Sequence, residues 1–154
     1  MGENECVSTY YQTLKLIQME LPNVNGHFVY RSLVNNISVS EDFSKLRFGA
    51  GLMTLVQNKQ GHITGDFDMG GGFVMKLEGS IEGDEKGFVL KLTGKGVVNT
   101  PTAGWIYDYW GFISPKWPNG KNQLQTITGS VIRTVDHGTA KAGSTATFYM
   151  VRRD

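Results

Sequence analysis

The sequence predicts an all-β domain, a closed antiparallel up-and-down barrel of about eight short strands around an apolar interior. Three observations carry that expectation. From residue 27 onward, β-branched and aromatic runs alternate with turn signals at the spacing of a meander. The connections between them are too short for crossover helices, so neighbouring strands run antiparallel. Twenty glycines stand against four prolines, with no collagen-like period, a balance that suits strands and turns. A two-layer sandwich is the alternative architecture.

The predicted strands cover 27–34, 44–57, 62–69, 73–82, 87–97, 104–113, 124–135 and 144–151. Between them stand Asn58-Lys59-Gln60-Gly61, Gly70-Gly71-Gly72, Gly83-Asp84-Glu85-Lys86 and Thr100-Pro101-Thr102, residues that tolerate positive φ or preset a turn. One inner face must be shared by all strands. With Gln57 facing His62, Met69 facing Phe73 and Ile81 facing Phe88, that face collects Phe48, Leu52, Val56, Ile63, Phe67, Met75, Leu77, Phe88, Leu90 and Leu92. The same register leaves Met53, Leu55 and Val89 outside, and sets Asp66 against Lys76 as a surface ion pair. Glycines inside strands, such as Gly79, Gly94, Gly111 and Gly129, mark corners of a small barrel or places opposite inward aromatics. Residues 1–26 form an N-terminal extension to the 27–154 barrel. Tyr10, Leu14, Ile17 and Leu21 carry a helical spacing over 7–21 that Pro22 would end, so this segment reads as a short helix closing one barrel mouth or as an extra strand.

A chain of 154 residues can bury a core without disulfides or metals. The formal charge of +1 and the lack of a basic stripe argue against nucleic acid as a partner. A single cysteine, Cys6, excludes an intrachain disulfide, and with no signal-like N-terminus the expected setting is cytoplasmic. No apolar stretch approaches the roughly 20 residues of a membrane-spanning helix. His27, His62 and His137 lack metal-ligand spacing, so neither a metal nor a cofactor is expected.

The chemistry-bearing residues concentrate in the C-terminal half. In Trp105-Ile106-Tyr107-Asp108-Tyr109-Trp110 both strand faces are aromatic, so either Asp108, beside Ile106 and Trp110, or Tyr107, beside Trp105 and Tyr109, turns inward. A carboxylate among indole rings would be a general acid or base tuned by desolvation. Arg133 shares parity with Ile127, Val131 and Val135, and a buried guanidinium calls for a carboxylate or an anionic ligand group, or an aromatic face. With Ile113 near Leu124, Arg133 falls across from Gly104 and Trp105. His137, in Asp136-His137-Gly138 at a strand end, is a further acid–base group at a barrel mouth. Trp117, between Pro115 and Pro118, reads as a stiff aromatic flap.

The strand count, meander order and in-strand glycines over 27–151 resemble small barrels of the calycin type, such as lipocalins and avidins, and the allene-oxide-cyclase-like barrels. The lipocalin Gly-x-Trp signature is absent, the first tryptophan being Trp105. The segment from Gly104-Trp105-Ile106-Tyr107-Asp108-Tyr109 through Trp117-Pro118-Asn119-Gly120 to Arg133 is similar to one in small microbial proteins of unassigned function.

The expected function is therefore a cofactor-independent cyclase or isomerase acting on a hydrophobic small molecule by general acid–base catalysis. Asp108, Tyr107 and His137 are the catalytic candidates, and Trp105, Trp110, Arg133, Phe67, Phe88, Trp117 and Tyr30 the substrate-binding ones. A non-catalytic ligand-binding barrel and a fully packed core are the competing readings. The expected partner is that small molecule, and a homodimer is left open.

Overall fold

The computed structural model describes residues 20–84 and 86–154. Eight strands follow one another: β1 (Gly26–Leu33), β2 (Arg47–Gln57), β3 (His62–Asp68), β4 (Val74–Asp84), β5 (Gly87–Gly96), β6 (Ile106–Ile113), β7 (Thr126–Arg133) and β8 (Thr145–Arg152). Each pairs antiparallel with the next, and β1 pairs with β8, so the sheet closes into a barrel and the sandwich alternative falls away. Among the described residues the only helix is a single 3-10 turn, Phe43–Leu46, and none is long and apolar enough to cross a membrane. The helix expected over 7–21 lies outside the described residues, apart from residues 20 and 21, which have no regular structure.

The interior is built by alternation along every strand. Phe28 and Tyr30 from β1, Ile63 and Phe67 from β3, Leu90 and Leu92 from β5, Tyr107 and Tyr109 from β6, and Phe148 and Met150 from β8 are all buried. Tyr30 lies at their centre, stacked on Phe148 at 5.4 Å and edge-on to Phe67 at 4.9 Å and Tyr109 at 5.9 Å. Contacts of this kind add about 0.5–1.5 kcal/mol each beyond area burial. Gly111 makes this packing possible: a Cβ there would stand 2.7 Å from Ile127 Cγ2 and 2.9 Å from Phe148 Cζ.

The register differs from expectation in three places. Gln57 pairs with Ile63, not His62, because Asn58 N–H donates to the His62 carbonyl and a three-residue loop, 59–61, turns through Gly61 at φ 85°. That slip of one turns β2 over. Met53 and Leu55 become core, whereas Leu52 faces out and Val56 is 59 % exposed. On β4 and β5, Ile81 pairs with Leu90 instead of Phe88, because the hairpin tightens until Asp84 faces Gly87; a shift of two preserves the inner face. On β6 and β7, Ile113 pairs with Ile127, which brings Arg133 opposite Tyr107. Asp66 does face Lys76 on the outside and forms an ion pair with it.

The two barrel ends differ. At one, Val24 is fully buried and Arg152 lies 4.9 Å over the Phe28 ring, donating to the Gln125 side chain and to the Asn23 and Asn25 carbonyls. These groups close it. The loops 34–46, 69–73, 97–105 and 134–144 ring the other end, where β2 carries a bulge. Ser32 pairs with Gly49 but Leu33 with Arg47, so Phe48 is the extra residue. A bulge re-aims a side chain, and here it turns Phe48 toward the core.

Candidate functional site

Three polar side chains converge at the bulged end. Tyr107 points inward from β6, Arg133 is the last residue of β7 and sits opposite it, and His137 reaches back from loop 134–144. The Tyr107 hydroxyl lies 2.7 Å from His137 Nε2, and Arg133 Nε lies 3.0 Å from that hydroxyl and 3.1 Å from the same imidazole nitrogen. Hydrogen bonds within the loop hold His137 in place. His137 and Ala140 exchange backbone bonds of 3.0 Å, Asp136 accepts from Ala142 N–H at 2.7 Å, and Arg133 Nη1 donates to the Lys141 carbonyl at 3.1 Å.

A guanidinium only donates, and the single Arg133 Nε–H is shared between the Tyr107 hydroxyl and His137 Nε2; with Nε2 as an acceptor the imidazole is neutral and carries its proton on Nδ1. Desolvation, and then the positive charge of Arg133, hold the His137 pKa below its usual value, in agreement with that tautomer. Tyr107 consequently donates to His137 while accepting from Arg133. Among the described residues Arg133 has no carboxylate partner. Its charge is met instead by the ring faces of Phe48 at 5.2 Å and Tyr107 at 5.6 Å.

Aromatic side chains frame the cluster. Trp105 stacks on His137 with centroids 4.2 Å apart and planes at 16°, and Phe73 tilts against Trp105 at 5.9 Å. Below them the barrel holds a cavity of about 50 Å³, bordered by Ser32, Phe48, Met69, Met75, Trp105 and Tyr107 among others. A water molecule claims about 30 Å³ in the liquid, so this space admits only a few atoms. Ser32 is buried at its edge, 3.3 Å from the Gly49 carbonyl.

The structure therefore gathers Tyr107, Arg133, His137 and Trp105, with Tyr30 and Phe67 deeper in the wall. It does not gather the others. Asp108 points outward, because Tyr107 and Tyr109 take the inner positions, and it accepts from Thr93 Oγ1 at 2.6 Å rather than lying among indoles. Trp110 shares that outer face, 58 % exposed beneath Lys91 at 4.8 Å. Phe88 is the second residue of β5, at the closed end. Trp117 is 74 % exposed in the 114–125 connection at the closed end, so it covers nothing at the Tyr107 cluster. Arg133 meets Phe48 and Tyr107, not the Trp105 ring, because the β6–β7 register is three residues from the expected one. Sequence reasoning missed Ser32 as a lining residue, although it continues the inward alternation of Phe28 and Tyr30. The sequence placed Phe48 on the inner face, where the bulge keeps it packed on the core, but its meeting with Arg133 had no signal. Among the described residues no three His, Cys, Asp or Glu side chains gather as metal ligands. No protein-family model matches the chain, and neither does any curated protein or solved structure.

Proposed function

We propose that this barrel is a cofactor-independent proton-transfer catalyst, an isomerase or cyclase, acting on a small molecule that presents a carbonyl-bearing end to Tyr107. One arrangement carries the reading: a phenol held between a guanidinium and a neutral imidazole at the mouth of an apolar interior. In the forward step a C–H beside the substrate carbonyl gives its proton to the Tyr107 oxygen, and the phenol's own proton passes to His137 Nε2. The electron pair of the broken C–H bond moves to the carbonyl oxygen, and the Arg133 charge faces the enolate so formed. Returning the proton to a different carbon completes an isomerisation. In a cyclisation the enolate carbon instead attacks a second carbonyl, whose oxygen takes the proton. Neither course changes oxidation state.

The cavity admits only the reacting end of such a substrate, so its apolar body lies over the rim formed by Phe48, Phe73 and Trp105. A non-catalytic binding barrel is the second reading, favoured by the same apolar rim. It has less support, because storage sites need about 300–1,000 Å³. The eight-strand closure is in keeping with calycin-like or allene-oxide-cyclase-like barrels, and the lone cysteine with a cytoplasmic setting.

The test needs no knowledge of the natural substrate. The chain is incubated in D₂O with a panel of ketones and 2-oxo acids, and loss of α-proton signal is followed by NMR. Exchange is expected for at least one compound, and Tyr107→Phe and His137→Gln should slow it by about 10²–10⁴-fold. No exchange anywhere in the panel, or undiminished exchange in a folded Tyr107→Phe, refutes the reading.

A further inference from the structure

A second opening lies on the outer surface of the β1–β2 wall, whose Ser32 and Gly49 also border the cavity beneath the Tyr107 cluster. It is a groove of about 640 Å³ between the outer faces of β1, β2 and β8 and the 3-10 turn, bordered by Arg31, Leu33, Phe43, Arg47, Ala50 and Tyr149. Its volume is that of a small-molecule site. Arg31 and Arg47 supply two positive charges. Among the described residues no aspartate or glutamate borders the groove, and neither arginine has a carboxylate within ion-pair distance. Glu41, the nearby loop acid, is taken by Lys45 at 3.4 Å. Between the charges the wall is apolar: Leu33, Ala50, the Tyr149 ring with Arg31 5.9 Å over its face, and Phe43, which is 76 % exposed. The Asp42 side chain accepts from Ser44 N–H at 2.9 Å and fixes the turn that presents Phe43 there.

We infer that this groove binds a monomeric amphipathic anion of the fatty-acid kind, its carboxylate against Arg31 and Arg47 and its chain along Leu33, Ala50, Phe43 and Tyr149. Both arginines border the groove with no carboxylate partner among the described residues, and an anionic head group there would meet their charges through charge-assisted hydrogen bonds. An acyl chain covers the exposed Phe43 ring, which a bare inorganic anion would leave in water. Head and tail are thus each matched by a separate part of the groove. The site is independent of the proton-transfer reading.

Decanoate below its micelle concentration is the probe, titrated into the full chain and followed by calorimetry and by amide chemical shifts. Saturable binding is expected, with shifts centred on Arg31, Leu33, Ala50 and Tyr149. The double variant Arg31→Gln/Arg47→Gln should weaken it by at least about tenfold, the usual worth of a charged hydrogen bond. Ala50→Trp, which fills the groove from an outward position, should abolish it, and decanol should bind more weakly than decanoate. Deuterium exchange at the Tyr107 site should be unchanged in the arginine double variant, so the two proposals fail separately. Four outcomes overturn the inference: no saturable binding, shifts confined to the Tyr107 mouth, equal affinity for decanol, or association only with anionic phospholipid vesicles.

Discussion

Replacing Tyr107 by Phe removes one oxygen atom from the middle of the site and little else, since ring and burial are retained. That oxygen makes two bonds, one donated to His137 at 2.7 Å and one accepted from Arg133 at 3.0 Å. A neutral hydrogen bond contributes about 0.5–1.5 kcal/mol net and one to a charged group about 1.5–3. Arg133 Nε keeps His137 as an acceptor at 3.1 Å, and both partners are only half-buried, so water recovers part of the loss. The expected destabilisation is therefore about 1–3 kcal/mol, which for a domain of this size lowers Tm by about 2–4 °C per kcal/mol. Urea unfolding of the two proteins measures it. A second readout separates this bond from general packing. The hydroxyl lies 2.7 Å from Nε2, so its loss should move the ring-proton and ring-nitrogen chemical shifts of His137 in NMR spectra taken at fixed pH. Wild-type stability together with unmoved His137 ring shifts would refute the hydrogen-bond geometry on which the site rests.

His137 also makes stability depend on pH. Its folded-state pKa is lowered by desolvation and Arg133, so its contribution is intact above the unfolded value near 6.5 and is lost as pH falls through the folded one; urea midpoints should drop more between pH 7.5 and 5 in wild type than in His137→Gln. Gly111→Ala should cost about 1–3 kcal/mol by overpacking against Ile127 and Phe148, and Phe148→Leu should recover part of it in the double variant, as thermal melts will show. Asp108→Asn keeps an acceptor for Thr93 on an outer face, so unfolding should shift by less than about 0.5 kcal/mol and deuterium exchange should stay as it was.

All eight strands were legible in the sequence, because alternation and turn residues are local signals and no helix competes with them. Facing was legible wherever a turn had a single reading. Gly70-Gly71-Gly72, all at positive φ, returned the β3–β4 register correctly, whereas Asn58 to Gly61 admits a three- or a four-residue loop, and the choice decides which side of β2 is wet. The site was half visible. Tyr107, Arg133, His137 and Trp105 stood out as polar or aromatic residues in apolar company, but their meeting depends on a three-residue register shift between β6 and β7 and on a loop that folds back through Asp136. Parity alone could not choose between Tyr107 and Asp108, since both faces of β6 are aromatic; the inner face went to the tyrosines because Gly111 beside them leaves room for Phe148.

The closure that joins β1 to β8 also shapes how the chain reaches its native state. Seven of the eight seams join strands that follow each other directly, so they can form as hairpins or across a single loop. The eighth pairs Phe28 with Arg152 and Leu33 with Thr147, more than a hundred residues apart. Loop entropy must be met before that seam rewards it, so it is expected to zip last and to set a slow folding rate. Until it does, β1 and β8 present two bare edges carrying Phe28, Tyr30, Phe148 and Met150, the kind of surface on which chains pair with one another. Concentration during refolding, more than native stability, would then govern the yield of folded protein.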